Sequence, residues 1–189
     1  RNAARIDRDR SLLLVVDIQE RLAPHIQDGA ALIARSEALL AAARLFAVPA
    51  VATEHCPEQI GGIVPGLGAR FDAGRIFRKT FFAATDHAEF DALLRSEGRS
   101  QLIVAGMEAH VCVLQTVLGL AARNWELFIV GDAIGSRAVR PTDRRFALDR
   151  MRDAGCTVVA TETVLFEWTR AGNDSAFREV LSLVKAVPA

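Results

Sequence analysis

The chain alternates between short, almost continuous apolar runs and longer segments whose apolar residues recur at helical spacing. Continuous apolar runs bounded by polar turns are typical of strands that are covered on both faces of a sheet. The pattern predicts strands at residues 11–17, 49–54, 75–78, 101–105, 126–130 and 156–160. It predicts helices at residues 30–46, 86–97, 112–123, 141–154, 163–169 and 175–185, with Thr85 or Asp86 capping the second.

Repeated alternation of strands and helices indicates an α/β fold in which a parallel sheet carries helices on both faces. We expect one domain over residues 1–189, with three α/β/α layers and six parallel strands in the order 3-2-1-4-5-6. Residues 55–74 form a long irregular segment. Segments of this length are often lids or binding loops, but a plain surface excursion or a subunit contact is an equal alternative.

Composition narrows the function classes. The 23 basic residues balance the 23 acidic ones, so no net field draws the chain toward nucleic acid or a membrane surface. No apolar run approaches the roughly 20 residues that span a bilayer. The three cysteines, Cys56, Cys112 and Cys156, have no paired spacing, which argues against a disulfide framework and favours the cytoplasm.

Three reactive side chains lie just past predicted strand ends: Asp17 after the first, Lys79 after the third and Cys112 after the fourth. Carboxyl ends of parallel strands meet at one edge, where ligands bind in such folds, so the three are expected to converge. Each also has an ordinary interpretation. Asp17 is an acceptable helix cap, Cys112 is a typical small buried residue, and Lys79 is notable chiefly because the chain otherwise prefers arginine. A helix start at Cys112 would favour the thiolate.

Four segments resemble the isochorismatase-like cysteine hydrolases over roughly residues 10–170. They are Val16-Asp17-Ile18-Gln19, Arg78-Lys79, the run GMEAHVCV at residues 106–113, and Val130-Gly131-Asp132-Ala133. Thr53-Glu54 and the EAHVC form are most similar to the isochorismatase-domain-containing branch, whose substrates are mostly unassigned.

The resemblance implies a cysteine hydrolase that cleaves an amide-like bond of a small molecule. Cys112 would attack and form a covalent acyl intermediate, Asp17 would move the proton, and Lys79 would orient Asp17. Relatives carry a cis peptide bond at the position of Met107–Glu108. The backbone N–H groups of Glu108 and Cys112 would then form an oxyanion hole. Relatives are commonly homo-oligomers, so a dimer or larger assembly is expected.

Two departures from the family matter. The stretch His55-Cys56-Pro57 stands where nicotinamidases carry an Asp-x-His metal motif, so neither a metal nor a cofactor is expected. Enzymes that cleave isochorismate lack the nucleophilic cysteine that Cys112 supplies. The remaining candidates are residues expected to contact substrate: Gln19, Glu54, His55, Phe82 and His110.

Two other function classes were weighed. A non-catalytic binding or scaffold protein on a retained hydrolase fold is the main alternative, and comparison of Cys112 labelling with that of Cys56 and Cys156 would discriminate the two. A Rossmann-type nucleotide binder has no support, because the turn after the first strand reads Asp17-Ile18-Gln19-Glu20 and contains no GxGxxG.

Overall fold

The computed structural model describes residues 5–188 and contains a six-stranded parallel sheet in the order β3-β2-β1-β4-β5-β6. The strands are β1 (Ser11–Val16), β2 (Ala50–His55), β3 (Ile76–Lys79), β4 (Gln101–Met107), β5 (Glu126–Gly135) and β6 (Thr157–Val159). The predicted fold class and strand order are confirmed. The order reverses between β1 and β4, which places the carboxyl ends of these two strands at the switch point.

Helices surround the sheet. They are α1 (Gly29–Leu45), α2 (Pro57–Ile60), α3 (Pro65–Gly68), α4 (Ala88–Ser96), α5 (Leu114–Ala121), α6 (Asp143–Asp153), α7 (Thr161–Thr169) and α8 (Phe177–Ala186). Two 3₁₀ turns, Ala23–His25 and Ala84–Asp86, and a π-helical turn, Ala109–Val113, complete the described elements. No helix among these residues has both the length and the apolar character to cross a membrane.

Alternation along β1 divides the core into two apolar layers. Leu13 and Val15 pack into a cluster with residues of α1, α7 and α8, whereas Leu12, Leu14 and Val16 pack into one with residues of α4, α5 and α6. All five side chains are fully buried. A strand without an exposed face explains the unbroken apolar run in the sequence, and burial of this kind contributes about 25 cal/mol per Å² of apolar surface.

The switch point depends on Gly106. This residue has φ +140°, and a Cβ at the position would lie 2.1 Å from the Val16 carbonyl oxygen on β1. Only glycine permits this backbone conformation and this close approach. The end of β4 can therefore lie directly beside the end of β1, where Asp17 follows.

Several predicted boundaries were wrong. Helix α4 begins at Ala88 with His87 as its N-cap, not at Thr85 or Asp86. Residues 84–86 form a 3₁₀ turn instead, because the Ala84 N–H is held by Thr116 Oγ1 on α5 at 3.0 Å.

The fifth strand also extends beyond its predicted end. A register shift against β4 lets it continue to Gly135 beside Met107. Within the irregular segment 55–74, the structure forms the two short helices α2 and α3.

Candidate active site

A fully buried ion pair lies at the carboxyl edge of the sheet. Lys79 Nζ is 2.7 Å from Asp17 Oδ2, and both side chains have 0 % exposure. Asp17 is the first residue after β1 and has φ +49°, a left-handed conformation that aspartate tolerates better than most residues. Thr53 Oγ1 donates a 2.6 Å hydrogen bond to Asp17 Oδ1. The carboxylate is therefore held by a cation on one oxygen and a hydroxyl on the other.

Lys79 is held in turn by backbone. Its ammonium donates to the carbonyl oxygens of Phe81 and Phe82 at 3.2 and 3.1 Å, in the turn that follows β3. The contact with Asp17 Oδ2 is a close ion pair without hydrogen-bond geometry, which leaves that oxygen without a hydrogen-bond partner among the described residues. Oδ2 consequently retains a lone pair for an incoming proton.

Cys112 lies near this ion pair, and the charges of Asp17 and Lys79 act on the pKa of its thiol in opposite directions. It belongs to the π-helical turn Ala109–Val113, and α5 begins only at Leu114. The predicted helix start at Cys112 is thus corrected to a π turn, a form frequent at functional sites. The Met107–Glu108 peptide bond is cis, as the resemblance predicts.

The predicted thiolate is wrong for the resting site. Burial raises the pKa of the Cys112 thiol to about 12, and the negative charge of Asp17 adds to the rise. Lys79 acts in the opposite direction but does not offset them. The thiol is therefore neutral at pH 7, next to an ionised pair. Desolvation outweighs the helix-terminus effect that the sequence suggested.

Gln19 and Glu54 hold the irregular segment against the edge of the site. The Gln19 amide accepts from the His55 N–H at 2.8 Å and donates to the carbonyls of His55 and Gly61 at 3.0 and 2.6 Å. Glu54 Oε1 accepts from the Ile63 N–H at 2.9 Å. Both side chains are buried. The hydrogen bonds of both side chains are with backbone, and Glu54 Oε2 also lies 3.5 Å from Arg78 Nε, so both residues position the segment.

His55 and Phe82 form an aromatic wall near the ion pair. Their rings stack with centroids 5.1 Å apart at an interplanar angle of 29°. Burial lowers the pKa of His55, and the positive charge of Lys79 lowers it further, so the imidazole is neutral at pH 7. Its Nδ1 atom is buried without a hydrogen-bond partner among the described residues. Phe82 remains about half exposed.

His110, two residues before Cys112, belongs to a polar network that the sequence did not predict. Its Nδ1 is 2.9 Å from Ser136 Oγ, and its Nε2 is 3.4 Å from Asp143 Oδ2. Arg137 Nε donates to Glu108 Oε2 at 2.7 Å. No spacing in the sequence signals these partners, because Ser136 and Arg137 lie in the loop after β5 and Asp143 is the first residue of α6. Thr53 could have been predicted as a partner of Asp17, since it pairs in register with Val16, the residue before Asp17.

Among residues 5–188, no three His, Cys, Asp or Glu side chains are grouped so that they could hold a metal ion. The reactive side chains at this edge are those of Asp17, Lys79 and Cys112. They supply a carboxylate with one oxygen that accepts no hydrogen bond, a cation that balances it, and a thiol on which both charges act.

Comparison with known proteins gives the family. The sequence model of the Isochorismatase domain matches residues 11–163. Isochorismatase domain-containing protein 1 of Salmo salar is 34% identical over 173 residues, which are 90% of this chain and 59% of that protein. Isochorismatase domain-containing protein 2 of Danio rerio is 33% identical over 180 residues, 95% of this chain and 89% of that protein. The chain belongs to the isochorismatase family.

Solved structures show the same fold. MAR1 ribonuclease from Caenorhabditis elegans matches with a TM-score of 0.89 at 34% identity, covering 98% of this chain and 95% of that one. The YcaC gene product of Escherichia coli, an octameric hydrolase of unknown specificity, has a TM-score of 0.90 at 25% identity. The match covers 99% of this chain and 92% of that one. YcaC from Pseudomonas aeruginosa, solved with hexane-2,5-diol and covalent acrylamide, has a TM-score of 0.88 at 27% identity. The match covers 97% of this chain and 93% of that one.

Proposed function

We propose that this protein is a cysteine hydrolase that cleaves an amide-like C–N bond of a small molecule through a covalent acyl-Cys112 intermediate. The observation that carries the proposal is the placement of the buried Cys112 thiol near the Asp17–Lys79 ion pair, whose charges both act on it. A nucleophile, a base within reach and a group that orients the base are the components of covalent catalysis. An inert structural cysteine needs none of these neighbours.

The raised thiol pKa fits a base-assisted attack. The neutral thiol transfers its proton to Asp17 Oδ2 as sulfur attacks the carbonyl carbon. Before transfer the charges are Asp⁻, Lys⁺ and neutral thiol; afterwards they are neutral Asp, Lys⁺ and a sulfur that bonds to carbon. Lys79 neutralises the site in the resting state, so no isolated charge is buried before attack. General base assistance of this kind contributes about 10²–10⁴-fold.

The tetrahedral intermediate places negative charge on the former carbonyl oxygen. We assign its stabilisation to the N–H groups of Glu108 and Cys112, for which no loop carbonyl of residues 5–188 serves as acceptor. Protonated Asp17 then gives its proton to the leaving nitrogen, the C–N bond breaks, and an amine and a thioester result. Asp17 next takes a proton from water, whose oxygen attacks the thioester carbon. Cleavage of the C–S bond releases the carboxylic acid and restores the thiol.

The surroundings favour a small substrate. Cys112 has an exposed fraction of only 6 %, so a narrow acyl group reaches the sulfur most readily. We propose that Phe82 and neutral His55 contact its flat or apolar part, with His55 Nδ1 offering a hydrogen bond. We propose His110 as a further contact, and assign Gln19 and Glu54 indirect roles through the irregular segment that they hold.

The relatives support this proposal at the level of their printed descriptions. E. coli YcaC is a hydrolase of unknown specificity, and the P. aeruginosa YcaC structure holds covalent acrylamide. The octameric state of the former supports our proposal that the present chain is also a homo-oligomer.

A screen of small amides, ureas and hydroxamates tests the function. Wild-type protein and the Cys112→Ser variant are compared for release of ammonia, amine or hydroxylamine, with Cys156→Ser as the matched buried-thiol control. The proposal predicts turnover by wild type and Cys156→Ser, and a loss of at least about 10³-fold in Cys112→Ser. Absence of turnover across the panel, or equal turnover in Cys112→Ser, would favour a binding protein on the same fold.

Ribonucleolytic activity is a second candidate. The C. elegans neighbour is named a ribonuclease, and here Arg140 in the loop after β5 and Arg145 on α6 are both exposed. Exposed arginines of this kind bind nucleic-acid phosphates. Cleavage of a labelled RNA by wild type but not by an Arg140→Gln/Arg145→Gln variant would support this candidate, while an intact RNA after prolonged incubation would remove it.

A further inference from the structure

A polar network joins the turn that carries Cys112 to the loop after β5. Arg137 Nε donates to Glu108 Oε2 at 2.7 Å, and His110 Nδ1 lies 2.9 Å from Ser136 Oγ. His110 Nε2 is 3.4 Å from Asp143 Oδ2 and 3.8 Å from Glu108 Oε2. Glu108 and His110 thus each have a partner in the segment that connects β5 to α6.

One end of the network controls the shape of the cysteine turn. The Glu108 carbonyl accepts the N–H groups of Val111 and Val113 at 3.1 and 3.2 Å, one on each side of Cys112. The side chain of the same residue is only 13 % exposed and binds Arg137. Holding Glu108 therefore fixes both the residue whose N–H we assign to the oxyanion and the carbonyl around which the turn closes.

The other end is anchored to the segment that follows β1. The Gln27 N–H donates to the Ser136 carbonyl at 3.0 Å, and the Ala138 N–H donates to the His25 carbonyl at 3.0 Å. Ile26 and Arg137 form an antiparallel bridge between these hydrogen bonds. The residues on both sides of Arg137 are therefore hydrogen-bonded to the segment after β1, so the backbone of Arg137 is fixed as well as its side chain.

We propose that Arg137 is a positioning residue that sets the oxyanion donors through the Glu108 carboxylate, with His110–Ser136 as the second anchor of the same turn. This inference rests on the proposed cysteine-hydrolase function. Its expected signature is selective. Arg137 is 43 % exposed and its ion pair contributes little to folding, but a displacement of about 1 Å in a reacting geometry can cost about 10²-fold in rate.

Two reactions of the Cys112 thiol distinguish a loss of oxyanion-donor positioning from a general disturbance of the site. An aldehyde adds to a thiol to give a hemithioacetal: the S–C bond forms, the thiol proton moves to the base, and the former carbonyl oxygen carries the charge that the oxyanion donors stabilise. Alkylation by iodoacetamide forms an S–C bond, breaks the C–I bond to expel iodide and releases the thiol proton to the base or to water, without creating an oxyanion. Only the aldehyde reaction depends on the Glu108 and Cys112 N–H groups.

The experiment uses the full chain with Cys56→Ser and Cys156→Ser, so that Cys112 is the remaining thiol. Propionaldehyde affinity and iodoacetamide rate are measured for this parent and for added Arg137→Gln, Arg137→Lys and Arg152→Gln. Arg152 pairs with Asp149 at 2.8 Å on an exposed part of α6 and is the matched control. Thermal unfolding of each variant confirms that it is folded.

We expect Arg137→Gln to weaken aldehyde binding by about tenfold or more, while alkylation stays within about twofold. Arg137→Lys should recover most of the loss because its ammonium can reach Glu108, and Arg152→Gln should match the parent. Unchanged aldehyde affinity in Arg137→Gln, equal losses in both reactions, or no recovery by lysine would overturn the inference. A parent whose Cys112 reacts with neither reagent would refute the proposed function and this inference together.

Discussion

Cys112 and Cys156 are equally hidden thiols in very different surroundings. Their exposed fractions are 6 % and 7 %, and burial is the largest cause that raises the pKa of each, to about 12 and about 11. Cys156 precedes β6, and burial is what raises its pKa. Cys112 lies at the opposite edge of the sheet, next to Asp17 and Lys79.

The comparison teaches that burial alone makes a thiol inert, and that the neighbouring pair is what gives Cys112 a route to react. A carboxylate that raises the resting pKa is also the group that accepts the proton when sulfur attacks. A high thiol pKa is therefore compatible with catalysis, provided that the base is within hydrogen-bond reach. Replacing Asp17 should therefore change the reactivity of Cys112 and leave that of Cys156 unchanged.

The largest expected effect follows from Asp17→Asn. Amide turnover should fall by about 10²–10⁴-fold, because no group remains to move the proton to the leaving nitrogen. Iodoacetamide reacts with thiolate that is already formed and does not need Asp17 as a base, so labelling of Cys112 should become faster when the negative charge that raises its pKa is gone and Lys79 remains. Both rates are measured on the same preparation, with labelling of Cys156 as the internal control. A parallel fall of turnover and labelling would contradict this account.

The next effect is the loss of protein stability when the Asp17–Lys79 ion pair is broken. Lys79→Met should lower the free energy of unfolding by about 3–5 kcal/mol, because it leaves the Asp17 carboxylate buried without its cation. Urea denaturation provides the measurement. The exposed pair Arg152–Asp149 is the control, and Arg152→Gln should change stability by less than about 0.5 kcal/mol. Equal losses in the two variants would show that the buried pair is not special.

Thr53→Val tests the second support of the base. The variant keeps the side-chain shape but removes the hydroxyl that donates to Asp17 Oδ1 at 2.6 Å. A lost hydrogen bond to a buried charge should cost about 1.5–3 kcal/mol of stability, with a measurable fall in turnover. Urea denaturation and amide turnover are compared with Thr157→Val, an exposed threonine on β6. Wild-type values in Thr53→Val would rule out this supporting role.

The last effect is alkaline destabilisation, which appears only above pH 9.0. Below the ordinary thiol value of 9.0 the folded and unfolded chains both keep the proton, so the stability contribution is complete. Above it the unfolded chain ionises first, and the free energy of unfolding falls by about 1.4 kcal/mol per pH unit for each thiol. The decline ends near pH 11 for Cys156 and near pH 12 for Cys112.

Urea denaturation between pH 9.0 and 12 separates the two contributions. Cys112→Ser should remove more of the alkaline decline than Cys156→Ser, because its window is longer. Identical pH profiles of the two variants, or a larger effect of Cys156→Ser, would contradict the assigned pKa directions.

The sequence predicted the sheet well because buried parallel strands are unbroken apolar runs. The convergence of Asp17, Lys79 and Cys112 followed from their places after strand ends, and Thr53 was within reach through the β1–β2 register. The π turn could not be predicted, since an apolar pattern with helical spacing does not distinguish a π turn from an α-helix. The thiol pKa depends on burial in three dimensions, and Arg137 comes from a loop whose path no local pattern specifies.

The most direct test of the central claim is to trap the covalent intermediate. Wild-type protein is mixed with a substrate amide from the activity screen, quenched in acid within the first turnovers, digested, and analysed by mass spectrometry. The account predicts an acyl mass on the peptide that contains Cys112 and none on the peptides that contain Cys56 or Cys156. Turnover that proceeds without any acyl-Cys112, or an acyl group on Cys156 instead, would contradict it.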